Sequence, residues 1–397
     1  MIFDLSLRGH HPNYIQQLIL HWQHQQTFQS LYVVVSPNFL EEHSDVVECA
    51  APQGKVVRFV PITEAEKKAL KTGKSGLARN IRNVQEWKLC CQYAKTLKVE
   101  HCLVMYFDTY FLALATGWQP TCPFSGIYFR PTLHYGNFSS MEQTAPAGFP
   151  QWREAFILKR VFSRNRLKTV FCLDPFFEPA QQDLQTQAST IFLPDPVDLS
   201  AFAQETDQTL RSRLGIDADR QIFLVFGALS GRKGIFQLLD AVAQLSEEHS
   251  RRLCLLLVGE SAIQAQLEER ILALCAKHPV QVVRRYEFIP DHEIPQYFKL
   301  TDIVVALYQR HVGSSGILLL AAAAQKPVLG TDYGLMGELV KRYQLGIAVD
   351  STQPAAIAAG IQQFLTGAVQ GIDAAVMKDW ALQNSAQKYA ETIFNGL

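Results

Sequence analysis

The chain has 397 residues, 48% of them apolar, and its 37 basic side chains equal its 37 acidic ones. That length holds two globular domains of roughly 150 to 200 residues, and the balanced charge offers no global field for a polyanion, which argues against nucleic acid as a partner. The start, MIFDLSLRGHH, lacks the charged lead and longer apolar core of a secretory signal, and no run of about 18 apolar residues follows, so a cytoplasmic chain that does not span a membrane is expected.

Short β-branched or aromatic runs alternate with longer helical patterns, the mark of a parallel sheet covered on both faces. In chain order the first half predicts strands at Ile2 to Leu5, Leu31 to Val35, Val56 to Ile62, Cys102 to Phe107, Phe124 to Phe129 and Thr169 to Leu173, with amphipathic helices at Tyr14 to His24 and Val84 to Leu97. FLPDPVDLSAF, residues 192 to 202, then interrupts the periodicity at Pro194 and Pro196. A second series follows at Ile222 to Phe226, Leu253 to Val258, Val280 to Val283, Ile303 to Leu307, Val328 to Thr331 and Gly346 to Val349. The fold class expected is α/β, with two tandem Rossmann-like, doubly wound parallel-sheet domains: residues 1–200, residues 201–375, and a C-terminal helix over 376–397 that packs back on the first domain. Cys102, Cys172 and Cys254 fall inside strand-like runs, and adjacent Cys90 and Cys91 cannot turn both side chains to one partner, so free buried thiols suited to a reducing compartment are expected. The chain has neither a CxxC nor an HExxH spacing, and zinc is not expected.

Ligands of open α/β sheets bind beyond the carboxyl ends of the strands, so the loops there carry the functional reading. In QIFLVFGALSGRKGIFQLLDAVAQL, residues 221 to 245, a strand passes through Gly227, Gly231 and Gly234 into a helix whose apolar face is Ile235, Leu238, Leu239, Val242 and Leu245. Arg232 and Lys233 then stand at a helix start, where cations oppose the macrodipole. A bound diphosphate resolves the conflict; a basic solvent-exposed turn is the plain alternative. Residues 313 to 316, GSSG, repeat the theme after IVVALY: Ser314 or Ser315 can cap the helix through ILLLAAAA, which is apolar all round and expected to be buried, and its first-turn NH groups can face a phosphate. An ordinary capped core helix reads the same way.

The ordered blocks LRSRLGI, FGALSGRKG with LLDA, LLLVGE, YEFIPDHEIPQYFKLTDIVVAL, GSSG, KPVLGTDYG and GELV make residues 209 to 350 resemble the nucleotide-sugar-binding domain of the large retaining glycosyltransferase family of GT-B fold, glycosyl transferases group 1. The resemblance implies two domains facing a cleft. A hexosyl group would pass, with retention, from a nucleoside diphosphate sugar to a hydroxyl acceptor that is a saccharide, a lipid-linked compound or a small molecule. It implies that Gly227, Arg232 and Lys233 meet the donor diphosphate, that Gly313, Ser314, Ser315 and Gly316 sit at the phosphates or the transferred sugar, and that Tyr286 and Phe288 lie near the nucleobase. In the first half it places Gly9, His10 and His11 in an acceptor or phosphate loop and His134 near the sugar, as the catalytic candidate. No metal and no cofactor beyond the donor co-substrate are implied, and DTY at 108–110 is not an Asp-x-Asp metal motif. Family members carry a Glu-x7-Glu pair where this chain has Val312 and Leu320. Glu338 remains as a nearby carboxylate, with support of a helix dipole as its plainer role.

Two basic stretches complete the reading. Lys67, Lys68, Lys71, Lys74, Arg79, Arg82 and Lys88 outnumber three glutamates in residues 64 to 90, and Trp152 to Lys168 carries six cations and one Glu. Solvated helix faces are the plain interpretation; an anionic acceptor or peripheral contact with an anionic membrane is the other. The missing glutamates keep one alternative open, a noncatalytic GT-B protein that binds a sugar nucleotide or scaffolds a partner; a sugar-nucleotide epimerase, which shares the fold and needs no acceptor, is a second.

Overall fold

The protein is described from a computed structural model, which covers residues 1–7, 11–24, 30–50, 56–73, 75–131, 151–177, 188–203, 207, 209–311 and 313–397, with backbone alone at 151–154. Among these residues the chain divides into two compact units. The first comprises 1–131, 151–196 and Ala386–Leu397, the second Val197–Ser385.

The first unit is built on a parallel sheet of seven strands: β1 (Ile2–Phe3), β2 (Ser30–Val35), β3 (Val56–Pro61), β4 (Cys102–Val104), β5 (Phe124–Tyr128), β6 (Leu167–Cys172) and β7 (Ser189–Phe192), in the order β3-β2-β1-β4-β5-β6-β7. The strand order reverses between β1 and β4, which makes their carboxyl ends the switch point of the sheet. The helix His11–His24 buries Tyr14, Ile15, Leu18, Ile19 and Trp22 at helical spacing. These side chains share a core cluster with Tyr389, Ala390 and Ile393 of the helix Ala386–Gly396. Thr169 Oγ1 fixes the far end of that helix by donating to the Gly396 carbonyl at 2.5 Å.

Two expectations change here. β7 was not anticipated: its four residues, STIF, are too short for a periodicity signal, and they pair as an edge strand with β6 just before the proline-rich segment. In place of one helix over 376–397 the chain forms two, Ala374–Gln383 in the second unit and Ala386–Gly396 in the first. Asn384 ends the earlier one, its side-chain amide donating to the Trp380 carbonyl at 2.9 Å, and Ser385 then bridges to Val197.

The second unit carries six parallel strands, β8 (Gln221–Phe226), β9 (Leu253–Val258), β10 (Gln281–Arg285), β11 (Ile303–Ala306), β12 (Val328–Thr331) and β13 (Gly346–Val349), in the order β10-β9-β8-β11-β12-β13. β9, LCLLLV, is buried along its whole length, as a strand covered on both faces must be. Here the order reverses between β8 and β11.

All eight cysteines are free thiols, most of them buried, and Cys275 differs from the expectation in being exposed. No helix among the described residues is long and apolar enough to cross a membrane.

Candidate functional site

The loops that leave β8 and β11 meet at the switch point of the second sheet. After β8, Gly227 takes φ +91° and Gly234 φ +71°, the left-handed region that glycine enters without strain. A Cβ on Gly234 would stand 2.2 Å from the Leu307 carbonyl oxygen, so only glycine lets the two loops approach this closely. Residues Gly231–Lys233 form one turn of 3-10 helix, and the helix Ile235–Val242 starts after it. Arg232 and Lys233 therefore stand in the turn just before the helix, at the helix start the sequence indicates, with the left-handed Gly234 between them and its first residue.

The two cations are held differently. Lys233 is 8% exposed, and its ammonium donates to the Phe226 carbonyl at 2.6 Å and to the Tyr308 hydroxyl at 2.8 Å. Both partners are neutral, and among the described residues no carboxylate pairs with it, so a buried positive charge is left that an anion would stabilise. Gly227 lies directly beside that charge, since a Cβ there would be in van der Waals contact with Lys233 Nζ at 3.4 Å. Arg232 is exposed, with its guanidinium 5.3 Å from the centre of the Tyr308 ring. Its Nη1 reaches His311 Nδ1 at 3.5 Å. His311 Nε2 lies 3.3 Å from the Ser314 carbonyl, which can only accept, so that nitrogen carries the proton and Nδ1 accepts from Arg232.

Tyr308 joins the two loops, and the sequence reading did not single it out. Its hydroxyl accepts from Lys233 and also from Ser315 Oγ at 3.0 Å, and its ring lies 4.7 Å from Lys233 Nζ. A phenol that accepts twice has its own hydrogen left to donate. Ser315 holds the N-cap position of the helix Gly316–Ala323, but its hydroxyl bonds Tyr308 and makes no cap, contrary to expectation. The first-turn NH groups of that helix are thus not taken by the capping side chain. Gly313 has φ +110°, and a Cβ on Gly316 would meet nothing within 4 Å. Ile317, Leu318, Leu319, Ala321 and Ala322 are buried, while Leu320 is only half-buried. Val312 lies outside the described residues. Glu338 sits a turn inside the helix Gly334–Arg342 and pairs with Lys341 at 3.6 Å, so it does not support the helix start as expected.

Tyr286 and Phe288 follow β10, two strands from β8. Tyr286 packs on the core of the unit with its hydroxyl beside Glu268, and burial, then that carboxylate, push its pKa up. Its side chain is committed to the fold. Phe288 is 69% exposed and free to meet a planar ligand.

In the first unit Gly9, His10 and His134 lie outside the described residues. His11 opens the first helix, and its Nδ1 meets Asp4 Oδ2 at 2.5 Å. The ring stacks on Tyr106 at 4.4 Å and 12°. Asp108 accepts from Nε and Nη2 of Arg130, each at 3.0 Å; burial raises its pKa and the guanidinium opposes that.

Comparison with known proteins bears on the second unit first. Residues 206–381 match the family described as Glycosyl transferases group 1. A putative glycosyltransferase of Bacillus subtilis, YtcC, is 27% identical over 193 residues, 47% of this chain and 44% of that protein. A putative teichuronic acid biosynthesis glycosyltransferase of the same organism, TuaC, is 26% identical over 154 residues, 38% of this chain and 36% of its own. The chain thus spans less than half the length of these relatives. Over the whole chain, Anabaena Alr3699/HepE, solved with UDP and glucose, superposes with a TM-score of 0.67 at 16% identity, covering 99% of this chain and 97% of that one. A glycosyltransferase from Rickettsia africae gives 0.65 at 14% identity, covering 99% and 96%. With two parallel α/β units in tandem and a group 1 match across the second, the chain fits a group 1 glycosyltransferase of GT-B fold.

Proposed function

We propose that the protein transfers a hexosyl group from a nucleoside diphosphate sugar to a hydroxyl acceptor. The observation that carries this reading is Lys233, a buried ammonium that among the described residues is bonded only to neutral groups, at the switch point of the second sheet. As the bond to the sugar breaks, negative charge grows on the departing diphosphate. Lys233, Arg232, the hydrogen of the Tyr308 hydroxyl and the first NH groups of the helix Gly316–Ala323 are the groups that stabilise it. These cations take the part a divalent ion has elsewhere, so transfer should survive a chelator and need no cofactor. Phe288 stacks the nucleobase, and His134 hydrogen bonds a sugar hydroxyl.

The Anabaena protein was solved with UDP and glucose, which makes a uridine diphosphate hexose the first donor to try. The test is a thermal-shift panel of nucleoside diphosphates and their sugars, followed by product analysis with mixed hydroxyl acceptors. A shift with one diphosphate and a new glycoside are expected. No shift across the panel would favour a scaffold, and an altered donor without acceptor would reveal an epimerase.

For the acceptor, the helix Gly76–Thr96 exposes Leu77 at 72% and Ile81 at 40% around Arg79. Apolar side chains among cations suit a peripheral contact with an anionic, cytoplasmic membrane face and a lipid-borne acceptor. Flotation with anionic liposomes, and loss of it in Leu77→Ser with Ile81→Ser, checks this.

A further inference from the structure

The loop that leaves β11 carries a histidine whose two ring nitrogens are both engaged within the second unit's cationic site. His311 Nε2 meets the Ser314 carbonyl at 3.3 Å, and Nδ1 meets Arg232 Nη1 at 3.5 Å. Its ring lies 5.3 Å from that of Tyr308, tilted by 42°. One residue thus touches the turn after β8, the end of β11 and the GSSG loop. Its partners also fix its charge. A carbonyl requires a donor and a guanidinium requires an acceptor, so the imidazole that bridges them is neutral. A proton on Nδ1 would set a second positive charge against Arg232, with the Lys233 ammonium on the same Tyr308 ring at 4.7 Å. Arg232 itself is exposed, and among the described residues no carboxylate pairs with it, so its guanidinium can move to an anion and clear Nδ1.

We propose that His311 takes up a proton when the donor diphosphate binds and becomes the third cation of the site. The proposal rests on the donor reading above and adds to it. A diphosphate brings two negative charges to Arg232 and Lys233, which reverses the sign of the field at the imidazole, a side chain that titrates near neutrality. The proton comes from solvent. Nδ1 then donates to a phosphate oxygen in place of accepting from Arg232, while Nε2 keeps the Ser314 carbonyl and ties the GSSG loop to the ligand. When the bond to the sugar breaks, the imidazolium faces the charge that grows on the departing diphosphate.

Around His311 stand Arg232 and Lys233 after β8, and Tyr308 and Arg310 on its own loop. The helix Gly316–Ala323 brings no titratable side chain. After β12 the chain passes close by, since a Cβ on Gly334 would stand 3.2 Å from the His311 carbonyl oxygen. That segment carries Asp332, Tyr333 and, a turn into its helix, Glu338, which pairs with Lys341. Burial and then Asp350 push the Asp332 carboxyl up while Lys341 pulls it down, so its charge answers to those neighbours.

The experiment is calorimetry of the full chain with UDP-glucose, or with the diphosphate sugar that the thermal-shift panel selects, in buffers of different ionisation enthalpy. A diphosphate sugar is used because the terminal phosphate of UDP itself titrates near pH 6. Expected for wild type at pH 7.5 are an uptake of roughly half a proton to one proton per donor bound, and an affinity that falls by up to about tenfold per pH unit as pH rises through neutrality. His311→Gln can still accept from Arg232 and donate to Ser314 but cannot be charged, so it should bind with no uptake and with an affinity indifferent to pH. A histidine that only braces the loops would leave wild type without uptake. Binding by wild type without uptake, or uptake that persists in His311→Gln, overturns the proposal and leaves the donor reading standing. His311→Asn replaces the glutamine variant if that one does not fold. Nitrogen NMR of the wild-type imidazoles gives an independent reading: one ring should pass from the Nε2–H tautomer to imidazolium as donor is added, and spectra in which no ring changes overturn the proposal with no variant in hand. Failure of wild type to bind any diphosphate sugar overturns the donor reading and this proposal together.

Discussion

The two units share a sheet topology and a switch point, yet they furnish the carboxyl ends of their central strands with different materials. Beyond β8 and β11 the backbone itself is shaped, by left-handed Gly227, Gly234 and Gly313, around one buried and one exposed cation. Beyond β1, β4 and β5 the described residues include no left-handed backbone, and planar side chains, His11, Tyr106 and Phe129, are stacked on one another with a carboxylate at the edge of the imidazole. A diphosphate has oxygens on every side and demands NH groups and cations close to the chain. A hydroxyl acceptor presents apolar faces and one proton to be removed. The contrast predicts that damage at one switch point should register in one kind of measurement and leave the other unmoved.

The strongest test of the cationic side is Arg232→Ala with Lys233→Ala. Charge-assisted contacts of roughly 1.5 to 3 kcal/mol each should give a combined loss of about 3 to 6 kcal/mol in UDP binding by calorimetry. Unchanged affinity would erase the distinction between the two sites.

The first unit can be isolated by acid. Burial, then the Met1 ammonium and Lys168, pull the His101 pKa from its ordinary 6.5 down to about 4. The unfolded chain therefore binds the proton first, and the stability His101 contributes is present above pH 6.5 and lost as pH falls toward 4. The loss amounts to at most about 3 kcal/mol. Melting curves between those limits should be flatter for His101→Gln, and an equal slope in both proteins would remove His101 from the account.

Next in size is Gly316→Val, which enters open space and avoids the strained φ that makes Gly313 a poor site for the same test. Donor affinity should fall about tenfold or more, roughly 1.4 kcal/mol, with the melting temperature nearly unchanged. A folded variant of full affinity would free this loop from the donor. Tyr308→Phe keeps the ring under both cations and removes only the hydroxyl. It should weaken donor binding by about 1 kcal/mol, and identical affinity would assign the hydroxyl to the fold alone.

How much of this can be read from residues depends on how local the cause is. β9 is apolar throughout because both faces are covered, and Arg232 and Lys233 stand out because glycines flank them, so these were legible. β7 is four residues at an edge, with too little pattern to see. Tyr308 looks like the apolar end of a strand, and its role depends on Lys233, 75 positions earlier. The cap expected of Ser315 failed for the same reason, since a distant phenol claims its hydroxyl. Asp4 and His11 are only seven positions apart, but their pairing depends on how the chain turns back after β1, which no spacing rule supplies.

The helix Ala386–Gly396 gives the molecule an unusual timetable. Tyr389, Ala390 and Ile393 close the core over Tyr14, Ile15 and Leu18, so on the ribosome the unit whose strands emerge first is completed last, after the entire second unit has been made. Until then an apolar helix face waits uncovered, open to chaperones and to wrong partners. A stop codon after Ser385 would spare every residue of the cationic site and still leave the aromatic one on an unfinished support.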